Sequence, residues 1–210
     1  FVETGTFLGN TTAVASELFS EVHTIELSDE LATRARARFA AQNGVYVHQG
    51  DSAQLLSQIL GQLSAPALFW LDGHYSEGGT ARGRSNTPIL DEIAAIARSG
   101  HKRGVILIDD LRLFERRRLA VDDSSSLHGY PALNEVCEAV REIDPEYQVF
   151  VYGDIVLAFP ASYGASVSPL VLALTLSRMF NGQNLPVEEV ISAESLIAQA
   201  DGMEREALRE

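Results

Sequence analysis

The feature that most constrains this chain is the alternation of short β-branched or aromatic runs with longer segments of helical period. The runs are Phe1–Thr4, Val22–Glu26, Val45–Gln49, Ala67–Asp72, Gly104–Asp110 and Tyr147–Pro160. Helix-like stretches lie between them at Thr11–Phe19, Asp29–Gln42, Ser52–Leu63, Thr87–Arg98 and Pro131–Ile143. Repeats of this kind pack as βαβ units around a parallel sheet. Val105–Ile108 is apolar without interruption, as a strand covered on both faces should be. The expected fold is α/β, an open doubly wound Rossmann-like sheet.

The last run behaves differently. Gln148–Tyr152 and Ile155–Phe159 flank Gly153-Asp154, a two-residue turn that predicts a β-hairpin and an antiparallel finish to the sheet. Beyond Pro160, two helical segments are expected, Pro169–Phe180 and Val187–Arg209. The chain then divides into a domain over residues 1–160 and a helical C-terminal extension over residues 161–210. Pro169–Phe180 is apolar almost all round, which suits packing against the sheet domain or a homodimer contact.

Charge and composition exclude several function classes. With 29 acidic and 16 basic residues the formal net charge is -13, which repels a nucleic-acid backbone. No apolar stretch is long enough for a membrane span, and no positive-then-apolar leader opens the sequence. Cys137 is the only cysteine, so neither a disulfide framework nor a cysteine-built metal site is available. These features together set the expectation of a cytoplasmic protein. Lys102 is the only lysine, and any lysine-based catalysis would have to use it.

Glu3-Thr4-Gly5-Thr6-Phe7-Leu8-Gly9 joins the first strand to the first helix, with Asn10-Thr11-Thr12 available as caps. Glycines at such a turn let the backbone approach a ligand, and the helix N-terminus presents N–H groups to an anion. The spacing is G-x-x-x-G, with Phe7 where dinucleotide folds carry their second glycine. Glu26 ends the second strand, 17 residues after Gly9, where a carboxylate can accept both hydroxyls of a ribose. Asp51, in Gly50-Asp51-Ser52, either accepts from an adenine amino group or caps the following helix.

From Glu3 to Pro160 these residues, with the terminal hairpin, resemble the class I S-adenosylmethionine-dependent methyltransferases. The resemblance implies that Glu3 faces the methionine amino group and that Gly5 and Gly9 form the cofactor loop, with Thr4, Thr6 and Thr11 beside them. It implies that Glu26 holds the ribose, that Asp51 and Ser52 border the adenine, and that Asp72 closes the pocket.

Strand four ends in Leu71-Asp72-Gly73-His74-Tyr75 and strand five in Ile108-Asp109-Asp110. In a parallel sheet both ends lie on one edge, so Asp72, Asp109 and Asp110 are expected to converge. Three carboxylates together need neutralising, and a hard divalent ion such as Mg²⁺ is the natural partner. The arrangement resembles the macrocin O-methyltransferase family, which methylates sugar hydroxyls with Mg²⁺ held by matching acids. It implies a small hydroxylated acceptor. His74, two residues past Asp72, is expected to take the acceptor's proton near neutral pH, with Asp72 as the alternative base. His23, His48, His101 and His128 are expected to be structural. Tyr75, Phe114 and Tyr130 either wall the acceptor or belong to the core. Arg82, Arg84 and Arg116 to Arg118 are solvated or hold an anionic substrate group. The competing readings are a nicotinamide-dependent oxidoreductase, disfavoured by the loop and the hairpin, and a non-catalytic scaffold of the same fold.

Overall fold

A computed structural model describes residues 1–74, 86–115, 129–152, 154–163 and 190–192. Within them the chain runs β1 (Val2–Thr4), α1 (Asn10–Leu18), β2 (Val22–Glu26), α2 (Asp29–Phe39), β3 (Val45–Gln49), α3 (Ser52–Leu60), β4 (Leu68–Leu71) and α4 (Ile89–Ser99). It continues through β5 (Val105–Ile108), α5 (Leu111–Glu115), α6 (Leu133–Ile143), β6 (Tyr147–Tyr152), β7 (Ile155–Pro160) and β8 (Val190–Ser192). The strands form one sheet in the order β3-β2-β1-β4-β5-β7-β6-β8. The five strands from β3 to β5 are parallel, while β7, β6 and β8 each run antiparallel to the preceding neighbour. This is the mostly parallel, Rossmann-like doubly wound sheet with its antiparallel hairpin, expected from the sequence.

Side chains alternate across the sheet with the period of the pleat. Phe69, Leu71, Ile106 and Ile108 point to the face covered by α3, α4 and α6, where Leu56, Ile93 and Val136 complete the larger core cluster. Trp70 and Leu107 point to the other face and pack with Ala15, Leu157 and Phe159. Local chemistry sets the helix ends. The Ser28 hydroxyl caps α2 by accepting from the Leu31 N–H, and Asp29 and Glu30 in its first turn are balanced by Arg36 and Arg38 in its last.

Three local expectations change. Helix α1 begins at Asn10 behind Gly9, which is left-handed (φ 74°), and no side chain caps it. Thr12 is unavailable as a cap because its hydroxyl is buried against Glu3. Residues 190–192, placed by periodicity within a helix, form β8 and pair with β6, since the open edge of a hairpin has unmet backbone partners. The short α5 was not expected. Tyr75, Arg82, Arg84, Arg116 to Arg118, His128 and the segment 169–180 lie outside the described residues. No helix among the described residues is long and apolar enough to cross a membrane.

Candidate active site

The strand order reverses direction of growth between β1 and β4, and ligands of open α/β sheets bind outside the strand ends at such a point. The loop leaving β1 lies there. Gly5 is left-handed (φ 85°), and a Cβ on it would stand 2.2 Å from the Asp72 carbonyl oxygen. Only glycine permits that approach. The Asp72 N–H in turn donates to the Thr4 carbonyl (3.1 Å) and to Thr4 Oγ1 (3.2 Å), so the β1 loop and the end of β4 share a wall. Phe7 is left-handed as well (φ 46°), and Phe7 and Leu8 are exposed at the loop tip. Thr11 is half-buried in the first turn of α1.

Glu3 does not face this crevice. It is 1% exposed, and its Oε2 accepts from the hydroxyls of Thr12 and Thr24 (2.6 Å to Thr24). Burial pushes its carboxyl up to about 8, with the two hydroxyls holding the rise back. Thr6 Oγ1 joins the cluster through Thr24 Oγ1 (2.6 Å). The methionine-facing role expected of Glu3 therefore does not fit its orientation. Glu26, 5% exposed, accepts from the Phe7 N–H at Oε2 and the Ser28 N–H at Oε1, both at 2.8 Å. It pins the glycine loop, and each oxygen keeps a further lone pair. Asp51 takes the capping role, accepting from the Ala53 N–H (3.0 Å) at the start of α3, and Ser52 is buried behind it.

The acids at the ends of β4 and β5 do converge, and two protein cations stand among them. The His74 ring bridges Asp72 Oδ1 (Nδ1, 3.0 Å) and Asp110 Oδ2 (Nε2, 2.5 Å). Burial disfavours its charged form, but the hydrogen bonds and charges of Asp110 and Asp72 outweigh this and raise its pKa to about 10. His74 is thus an imidazolium at neutral pH. The expectation that His74 takes the acceptor's proton near neutral pH is corrected, because both of its ring nitrogens already donate to carboxylates. Burial also works against ionised Asp110, yet His74 and Arg112 hold its carboxyl below the usual range. Asp109 is pushed up to about 6 by burial and by Asp72. Asp110 is left-handed (φ 62°), a conformation that aspartate tolerates better than most residues. Its backbone N–H donates to Asp109 Oδ1 (2.8 Å).

Sequence reasoning missed Asp154 and Arg112. Asp154, read only as a hairpin-turn residue, reaches the cluster because β7 inserts beside β5. Its carbonyl accepts from the Leu111 N–H (2.9 Å) and its Oδ1 from the Arg112 N–H (2.8 Å), while the Arg112 guanidinium contacts both Asp110 and Asp154. Among the described residues, two groups have ligand atoms close enough together for a cation: Asp72 with His74 and Asp110, and Asp109 with Asp110 and Asp154. The second is all oxygen, the donor set Mg²⁺ prefers, and so it fits that ion. The trio expected from sequence is therefore split, with Asp110 shared between the groups.

Glu92 was also missed. It falls on the apolar face of α4 with Ile89, Ile93 and Ile96, and a lone acid on such a stripe was the available signal. Its carboxyl lies under Gly73 at the crevice floor, pushed up to about 7 by burial, with nearby Ser52 and Thr4 hydroxyls holding the rise back. Phe114 and Tyr130, 5.8 Å apart, are buried and also line the pocket below His74. The remaining described histidines are structural. His23 contacts His48 (3.0 Å) and Glu21 (2.7 Å), and His101 reaches the Leu60 carbonyl (2.8 Å).

No protein-family model and no curated protein matches this chain. Solved structures do. One described as a caffeoyl-CoA O-methyltransferase from Staphylococcus aureus aligns with a TM-score of 0.51 at 13% identity, over 76% of this chain and 74% of that one. A methyltransferase of Podospora anserina bound to SAH gives 0.48 at 16% identity, over 76% and 70%. A methyltransferase of Streptococcus mutans in complex with SAH gives 0.48 at 15%, over 76% and 86%. The likeness to the first is one of fold.

Proposed function

We propose that the chain is an S-adenosylmethionine-dependent methyltransferase that transfers a methyl group to the oxygen of a small hydroxylated acceptor with the assistance of Mg²⁺. The observation that carries this reading is the shared wall at the switch point, where Gly5 packs on the backbone of Asp72. Through it the β1 loop and the acid cluster form one site rather than two.

The residues suit the two groups to different degrees. The cofactor would lie over the Gly5–Gly9 loop, with the uncapped N-terminus of α1 facing its carboxylate. Glu26 would accept from the ribose hydroxyls through its remaining lone pairs. Asp109, Asp110 and Asp154 would hold Mg²⁺, and a bound Mg²⁺ lowers the pKa of a hydroxyl placed beside it. Within the chain, Asp72 and Asp110 fix the His74 ring from both sides. That clamp orients His74 and keeps a proton on each nitrogen, while the Asp110–Arg112–Asp154 contacts anchor α5 against the hairpin turn. The likeness to the macrocin O-methyltransferase family rests on Asp72, Asp109 and Asp110. It supports a sugar-like acceptor.

Calorimetry of the full chain with S-adenosylhomocysteine, with and without Mg²⁺, tests the reading. Binding of the nucleoside together with a separate Mg²⁺ heat supports it, and absence of nucleoside binding overturns it. Methyl transfer that persists in excess EDTA would remove the metal from the proposal.

A further inference from the structure

The pocket bounded by Gly73, His74, Glu92, Asp109, Phe114 and Tyr130 lies at the end of β4 and is lined by polar atoms that complete no hydrogen bond among the described residues. Glu92 is 0% exposed, and although the Ser52 and Thr4 hydroxyls lie near its carboxyl, neither oxygen completes a hydrogen bond of good geometry within the described residues. The Tyr130 hydroxyl, on a residue 2% exposed, is unpartnered in the same way. Buried polar groups are rarely left so. Three such atoms lining one pocket indicate that an incoming group completes it.

The chemistry of the walls defines that group. An ionised Glu92 offers only acceptors, so a group that pairs with both of its oxygens must bring several hydrogens. Phe114 and Tyr130, with ring planes at 60°, also line the pocket, and aromatic faces attract a cation. The charge balance points the same way. With His74 between Asp72 and Asp110, and with Asp109, Asp110 and Asp154 assigned to Mg²⁺, Glu92 is the pocket acid that takes part in no ion pair among the described residues. The space admits about one water-sized group, which matches a terminal –NH₃⁺ better than a guanidinium or a trimethylammonium.

We infer that this pocket is a subsite for a primary ammonium group, and that the acceptor is therefore an amine-bearing alcohol or sugar. The identity of the acceptor rests on the proposed methyl transfer; the ammonium subsite does not. Ligand-observed NMR on the full chain with Mg²⁺ and S-adenosylhomocysteine present tests it, using ethylammonium and ethanol as size-matched probes and ethyltrimethylammonium as the oversized one. Wild type should bind ethylammonium at least tenfold more tightly than ethanol and should not take up ethyltrimethylammonium. Glu92→Gln, which keeps the side-chain volume, should erase the preference, and Tyr130→Phe should weaken ethylammonium severalfold. Equal binding of the charged and neutral probes by wild type, as expected of a pocket that holds water only, overturns the inference. So does a preference that survives in folded Glu92→Gln. Should Glu92→Gln fail to fold, the wild-type probe series and Tyr130→Phe still decide. An ammonium preference without nucleoside binding would defeat the methyltransferase reading alone, and nucleoside binding without that preference would defeat the subsite alone.

Discussion

The two ends of the crevice hold their acids in opposite ways. At β1 and β2, Glu3 and Glu26 are buried and satisfied by neutral donors, two threonine hydroxyls for one and two backbone N–H groups for the other. At β4 and β5, Asp72, Asp110 and Asp154 are satisfied by the cations His74 and Arg112, and the acids are more exposed. Neutral donors built into strands and turns cannot leave without unfolding something. A half-exposed arginine can leave, and so can be exchanged for another cation. The first end is built to keep its shape and the second to change its occupant.

The strongest test of this contrast is Asp110→Asn, which removes the carboxylate shared by both candidate cation groups. Divalent-cation affinity, read by calorimetry with Mg²⁺ or Mn²⁺, should fall about a hundredfold, the scale of roughly 2.7 kcal/mol. Loss of the charged partner also lowers the His74 pKa, visible as a shift of its imidazole titration by NMR. A variant that binds the ion like wild type would place the metal elsewhere.

Glu26→Ala comes next. It deprives the Phe7 and Ser28 N–H groups of their acceptor, and hydrogen bonds to a charged group contribute about 1.5–3 kcal/mol each. Affinity for S-adenosylhomocysteine should drop at least tenfold by calorimetry, with divalent-ion affinity unchanged. Equal losses of both would dissolve the distinction between the two ends.

The neutral-donor end has its own signature in pH. Glu3 has a folded pKa of about 8 against 4.5 for an ordinary glutamate, so the folded state prefers the protonated form. Its contribution is fully present below about 4.5 and is lost as pH rises toward 8, with a slope of up to about 1.4 kcal/mol per pH unit for one proton. Glu3→Gln should flatten that dependence in denaturant unfolding followed between pH 5 and 8. The slope that remains would come from Glu92, Asp109 and His74, whose shifts have the same sign. An unchanged profile would mean that Glu3 is not buried as described.

The smallest effect is expected for Arg112→Ala. If its guanidinium occupies a place that a divalent ion takes, its removal should raise ion affinity about threefold to tenfold while leaving nucleoside binding alone. Weaker ion binding would make Arg112 a support of the site rather than a competitor for it.

Much of the frame was legible in the chain order of residues. Periodicity and unbroken apolar runs are local properties, and they located β2 and β3 to the residue and β1 and β4 to β7 within one or two, while β8 was read as helix. They placed Asp72, Asp109 and Asp110 at one sheet edge, because parallel strands carry their C-terminal ends together. Gly5 and Gly9 were recognisable as residues that the turn requires. What tertiary structure decided was the partner of each acid, since a partner is set by proximity in space. Glu3 turned inward because Thr12 and Thr24 converge on it from α1 and β2. Asp154 joined the cluster because β7 inserts beside β5, far along the chain from β4. His74 became an imidazolium because two carboxylates flank its ring, and Glu92 stayed buried because α4 lays its apolar stripe on the sheet. Position along the strands followed from local pattern, whereas charge state and coordination depended on the field of groups that only folding brings within a few ångströms.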